Sequence, residues 1–215
     1  MPLLPLRGGD WFESERGQTF DRENLMLEMV TKNRLTDTER SPVDALIRYV
    51  WKHEENSRAD VEVFDQAKSE SDDALDRNAV HVLVWDNQNL VGYGRITLFL
   101  SRSELIEAPR EVPSLPLQIS SAAFLSRLVV HPKWRGQGIG GRIDQQRIQI
   151  ARKCNVDVIL GCAVGDKRQK ALQTSGFVTE GQIASFQTPW YRTSRNVALM
   201  KLDLAKLTLQ KTYSL

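Results

Sequence analysis

The sequence predicts one mixed α/β domain built on a mainly antiparallel central sheet flanked by helices. Three observations carry that expectation. β-rich runs alternate with stretches of helical periodicity, two of the runs join as a hairpin, and a glycine cluster links a strand to a helix in the second half. The 215 residues, 41% hydrophobic and 26% charged, are enough to bury a sizeable core. Residues 1–20, with Gly8, Gly9, Gly17 and two prolines, read as a loose N-terminal arm, and residues 21–215 as a single domain.

Each element has its own reason. Glu23–Lys32 reads as a first strand. Ser41-Pro42 reads as a helix start, with Ser41 as N-cap and Pro42 at the first helical position. Val43, Leu46, Ile47, Val50 and Trp51 then recur at helical spacing, and an acidic connection runs from Glu62 to Arg77. Ala79–Trp85 is β-rich, the turn Asp86-Asn87-Gln88-Asn89 closes it, and Leu90–Leu98 resumes it as a hairpin. The prolines at 109, 113 and 116 mark a loop over 101–120 with one short helix. Ala123–Val130 is a strand, and Ile139, Ile143, Arg147, Ile150 and Cys154 mark a helix with one mostly apolar face. Val156–Val164 is the next strand, and Asp166–Thr174 a short helix ended by Ser175-Gly176. Phe177–Phe186 and Asn196–Leu204 form a closing pair of strands.

Charge and cysteine content narrow the function. The net charge of +2 gives no electrostatic reason to expect nucleic acid as a partner. No apolar run approaches the roughly 20 residues of a membrane span, and the N-terminus does not read as a signal peptide. Cys154 and Cys162 form no C-x-x-C pair, which excludes a zinc knuckle and points to a reduced, cytoplasmic setting without a metal. The charge is unevenly spread. Residues 54–76 hold nine acids against Arg58 and Lys68, whereas residues 131–170 hold nine bases against Asp144, Asp157 and Asp166. Local positive potential of that kind concentrates an anionic ligand.

The most informative stretch is His131-Pro132-Lys133-Trp134-Arg135-Gly136-Gln137-Gly138-Ile139-Gly140-Gly141, between a strand and a helix. Four glycines in six positions let the backbone approach a ligand. The unpaired N–H groups of a helix start form an anion site reinforced by the helix dipole, and Arg135 adds a cation suited to phosphate. Gly136-x-Gly138-x-x-Gly141 matches the dinucleotide fingerprint in form only. Five residues separate Val130 from Gly136, Asp157 opens its strand instead of closing it, and too few βα units follow.

As R-x-x-G-x-G, Arg135, Gly138 and Gly140 resemble the acyl-coenzyme-A motif of the GNAT superfamily of N-acyltransferases. Leu128-Val129-Val130-His131-Pro132 is similar to that family's lead into the loop, and Ala171–Phe177 to its second signature, a short helix ending in Gly-Phe. The hairpin, with Ser126-Arg127-Leu128, also resembles a branch that includes acyl-homoserine-lactone synthases. The resemblance implies a mixed, mainly antiparallel GNAT-like sheet and acetyl-CoA, or another acyl-CoA, as co-substrate. It implies that Arg135, Gly136, Gln137, Gly138, Ile139, Gly140 and Gly141 hold the pyrophosphate. Leu128, Val129 and Val130 would splay from the neighbouring strand, pair with the pantetheine arm and polarise the thioester carbonyl. An amine then attacks directly, which leaves the protein mainly positioning to supply.

The chain departs from the family at three places. Leu172 stands where many members carry a Tyr, Gly165-Asp166 where an Asn often ends the strand, and Phe124 where a Glu is common. His81 is the candidate base and Tyr191 the candidate acid. Arg95 and Arg127, on adjacent strands, are candidates for an acceptor carboxylate. Trp190-Tyr191 reads as a cover over the acceptor, and the acidic segment suits a cationic amine. Cys154 and Cys162 read as core residues. The partners expected are a small amine or amino-acid acceptor, a second copy of the chain in a homodimer and, for a long-chain donor, an acyl carrier protein. The competing readings are a long-chain N-acyl amino acid or lactone synthase and a non-catalytic coenzyme-A-binding protein.

Overall fold

A computed structural model describes residues 19–22, 25–53, 74–109, 112–183 and 197–204. Its centre is the predicted hairpin, β3 (Ala79–Asp86) with β4 (Asn89–Phe99). Asp86 pairs with Asn89, so the turn is only Asn87-Gln88. Asn87 takes φ +52°, a conformation that asparagine tolerates well. β1 (Thr19–Arg22) and β2 (Leu25–Lys32) add antiparallel strands to one side of this hairpin. The sheet therefore begins inside the stretch read as an arm, while residues 1–18 lie outside the described ones. β5 (Ala122–Val130) lies antiparallel to β4 and parallel to β6 (Val158–Val164). β8 (Val197–Asp203) and β7 (Val178–Ile183) close the eight-stranded order β1-β2-β3-β4-β5-β6-β8-β7.

Helix α1 (Asp37–His53) corrects the reading of Ser41 as N-cap. Thr36 Oγ1 accepts the Glu39 N–H at 3.3 Å while Glu39 Oε2 accepts the Thr36 N–H at 3.0 Å. That capping box starts the helix earlier and leaves Pro42 inside it. The predicted stripe of Val43, Leu46, Ile47 and Val50 packs on Leu83, Tyr93 and Val129 from one face of the sheet. α2 (Arg102–Ile106) is the predicted short helix of the 101–120 loop.

α3 (Ile139–Lys153) and α4 (Asp166–Thr174) lie over the opposite face. Two glycines of β4 explain how closely α3 sits. A Cβ on Gly92 would come within 2.9 Å of Ile139 Cγ2, and one on Gly94 within 2.5 Å of Ile143 Cγ2. Asp157 is a strap, not a ligand-binding acid: its carboxylate accepts the Ser120 and Ser121 N–H groups at 2.8 and 3.0 Å. It thereby ties the starts of β5 and β6 together.

Candidate functional site

β5 delivers the chain to the glycine loop through a short 3-10 turn at Pro132–Trp134, where His131 Nδ1 accepts the Lys133 N–H at 3.3 Å. The His131 ring is half-buried, stacked on Tyr49 of α1 with centroids 4.8 Å apart. Gly136 and Gly138 then adopt φ +80° and +78°, in the region glycine enters without strain. Gly138 is the N-cap of α3, and the helical bonding begins with the Arg142 N–H on the Gly138 carbonyl at 3.1 Å. The amides of Ile139, Gly140 and Gly141 therefore point out of the helix N-terminus without an intrahelical acceptor. A Cβ on Gly136, Gly138 or Gly141 would meet no described atom within 4 Å, so the space over these amides is open. Arg135 lies exposed beside it, its Nε donating to the Val130 carbonyl at 3.2 Å.

The second half of the site is a gap in the sheet. β5 and β6 pair in parallel from Ala122↔Val158 to Leu125↔Gly161 and then stop, although both strands continue. The cause is visible on the other edge of β5. Arg95 faces Ser126, but Tyr93 faces Val129, so β5 carries one extra residue there. Arg127 occupies this β-bulge at φ +56°. A bulge bends its strand and raises the local twist, which turns β5 away from β6. A cleft of about 370 Å³ at this end of β5 is lined by Leu128, Val129, Val130, Arg135, Gly136, Gly138, Ile139 and Gly140, with Val50 and Trp134. All but the last two are residues that the sequence proposed for a coenzyme. A diphosphate fits the open amides, and a thin amide-bearing arm fits the unpaired strand edge.

The α1 face of the same strands carries the remaining candidates. His81 is 2% exposed, with Nδ1 2.9 Å from the Tyr93 hydroxyl and the two rings stacked. Burial, opposed by Asp76 and reinforced by Arg95, pushes its pKa down to about 4. Stability from keeping His81 neutral is fully present above the ordinary imidazole value of 6.5 and is lost as pH falls toward 4. The wild type is expected to lose about 3 kcal/mol over that window. His81→Gln should flatten the slope in urea denaturation between pH 7 and 4; an unchanged slope would rule out the assignment.

Arg95 is 3% exposed. Its Nη1 donates to Asp76 at 2.8 Å and its Nε to Ser126 Oγ at 2.9 Å. Asp76 also pairs with Arg40 at 3.4 Å. Burial raises the Asp76 carboxyl, and the neighbouring Arg95 guanidinium, helped by His81 and Arg40, brings it below the usual carboxylate range. The structure thus joins Arg95 to Asp76 and Arg40, a cluster that the sequence did not reveal. The only available signal was an acid just ahead of a strand whose hairpin partner carries an arginine. Arg127 is half-buried at the bulge. Tyr191, Trp190 and most of the acidic segment lie outside the described residues.

The departures from the family have structural occupants. Leu172 is fully buried, with Phe177, in the core under α4, and Phe124 packs with Leu75, Phe99 and Leu160. Both cysteines are free; burial raises the Cys154 thiol and pushes the Cys162 thiol up to about 11, so neither is an activated nucleophile. No helix of the described residues is long and apolar enough to cross a membrane.

Comparison with known proteins agrees with this geometry. The sequence profile of the acetyltransferase (GNAT) family matches residues 43–177. No curated protein matches the sequence. Among solved structures, an acyl-CoA N-acyltransferase from Pseudomonas aeruginosa is 19% identical with a TM-score of 0.55, covering 81% of this chain and 98% of its own. Escherichia coli ElaA is 16% identical with a TM-score of 0.56, covering 82% and 99%. Arabidopsis thaliana Naa50, in complex with the bisubstrate analogue CoA-Ac-MVNAL, is 13% identical with a TM-score of 0.53, covering 82% and 99%. At these identities the likeness is one of fold.

Proposed function

Because the chain belongs to the acetyltransferase (GNAT) family, we propose that it moves an acetyl group from acetyl-CoA to a primary amine of a small molecule or amino acid. The observation that carries the reading is the break in the β5–β6 ladder, which runs directly into open amides at the start of α3. When bound, acetyl-CoA supplies an activated thioester carbonyl and a thiol leaving group. The amides of residues 136–141 hold the pyrophosphate oxygens, with Arg135 adding charge. The backbone of Leu128, Val129 and Val130 pairs with the pantetheine arm and donates to the acyl oxygen.

On the acceptor face, Arg40 and Arg95 share the single carboxylate of Asp76. His81, with its pKa near 4, is too weak a base to take a proton from an ammonium group. We assign it to holding the Tyr93 hydroxyl. Deprotonation then falls to an ordered water, and Tyr191 is the proposed donor to the leaving thiolate. The two free cysteines support a cytoplasmic setting.

Calorimetric titration with acetyl-CoA, a medium-chain acyl-CoA and NADH, followed by thiol release against an amine panel, tests the reading. Stoichiometric binding of acetyl-CoA with amine-dependent thiol release is the expected result. Tighter binding and faster turnover of the longer chain would select a long-chain N-acyl transferase. Binding without release from any amine would leave a coenzyme-binding protein. A limb near pH 6.5 in kcat/KM that disappears in His81→Gln would restore His81 as the base.

A further inference from the structure

Arg147 heads the fully buried side chains of the described residues by volume, at 0% exposure, and sits on α3 in line with Ile139, Ile143 and Ile150. Its Nη1 donates to the carbonyl oxygens of Arg95 and Ser126, 3.0 Å each. These two residues face each other across β4 and β5 at the register shift. Beside them Gly94 makes the room, since a Cβ there would stand 3.3 Å from Arg147 Cζ. On its other side the guanidinium pairs with Asp144, 2% exposed, which also receives Arg168 from α4. Arg168 Nη2 donates to Asp144 Oδ1 at 3.0 Å.

A buried ion group of this kind is not explained by stability. Its desolvation offsets the Coulomb attraction, and an apolar side chain of similar volume is commonly as stable. An apolar side chain cannot, however, hold two main-chain carbonyls. We infer that Arg147 is a positioning residue for acyl transfer, a clamp on the β-bulge that fixes where the N–H groups of residues 127–130 point. The inference rests on the acyltransferase reading. If those amides receive the acyl oxygen, a displacement near 1 Å costs about a hundredfold in rate. The guanidinium touches no substrate. It acts through the backbone it holds.

The test uses Arg147→Lys and the double variant Asp144→Asn/Arg147→Met, which removes both charges so that no buried acid is stranded. Both are expected to melt cooperatively. Coenzyme A affinity by calorimetry should weaken by less than kcat falls, because the loop amides are untouched and only the pantetheine contacts of residues 128–130 are loosened. kcat for acetyl transfer should fall about 10- to 100-fold, with a smaller change in KM. Amide hydrogen exchange should quicken over β5 and keep its protection over β3. A lowered melting temperature with kcat of the folded protein unchanged would overturn the inference, as would unchanged exchange over β5. Failure of both variants to fold would also overturn it, since the clamp would then be a requirement of the fold. Exchange and coenzyme A binding are read without turnover. A wild type that binds no acyl-CoA would thus sink the acyltransferase reading while the exchange result still decides the clamp.

Discussion

Gly138→Val is expected to lower acetyl-CoA affinity by at least about a hundredfold while the protein still folds. Gly138 caps α3 at φ +78°, and a Cβ there meets no described atom within 4 Å. The new side chain would therefore stand in the space over the Ile139, Gly140 and Gly141 amides, where the diphosphate is proposed to lie. Hydrogen bonds to a charged group contribute about 1.5–3 kcal/mol each, so displacing two of them removes about 3 kcal/mol or more, a hundredfold in Kd. The backbone strain of a side chain in the left-handed region costs about 1–2 kcal/mol, which a domain of this size tolerates. Calorimetry of wild type and variant, with a thermal melt of each, separates the two effects. Unchanged affinity in a folded variant would remove the loop from the coenzyme site.

The second large effect is on stability. Asp76→Ala should destabilise the fold by about 3 kcal/mol, because the Arg95 side chain, only 4% exposed, loses its counter-charge in a place water does not reach. Arg40 contributes little to this figure, its side chain being 40% exposed. The sign with pH is fixed by the direction of the shift. A carboxyl held below its ordinary value of 3.8 contributes stability that is present above that value and is lost as pH falls through the lowered one. The gap between wild type and Asp76→Ala should therefore be constant from pH 7 to 5 and close only below about pH 4. That window lies beneath the one expected from His81, so the two groups separate in a single urea series. The double variant Arg95→Met/Asp76→Leu should recover most of the loss, and a double variant as unstable as the single one would show that the pair is not the cause.

The elements with local causes were legible along the chain. The hairpin, the β5 strand, the glycine loop and α4 appear within a residue or two of where alternation, turn residues and helical periodicity put them. The exception among the helix ends is instructive. Ser41-Pro42 imitates a cap, yet Thr36 with Glu39 satisfies two terminal groups at once and so sets the boundary. Arg147 falls on the mostly apolar face that the helical spacing marks, because spacing reports the face on which a side chain lies and not what it meets there.

The sequence by itself determined the glycine-loop end of the candidate site, since glycines at positive φ, open helix amides and a flanking arginine are all consequences of one short contiguous segment. Tertiary structure alone decided the rest. The splay of β5 from β6 depends on a register shift against β4, the buried charge cluster of the α1 face on Asp76 meeting Arg95 and Arg40, and the bulge on Arg147 reaching across from α3. Each of these joins residues 19 to 52 positions apart in the chain. No periodicity or motif encodes such a meeting, because it is fixed by how helices and strands pack and not by the order of the residues along either one.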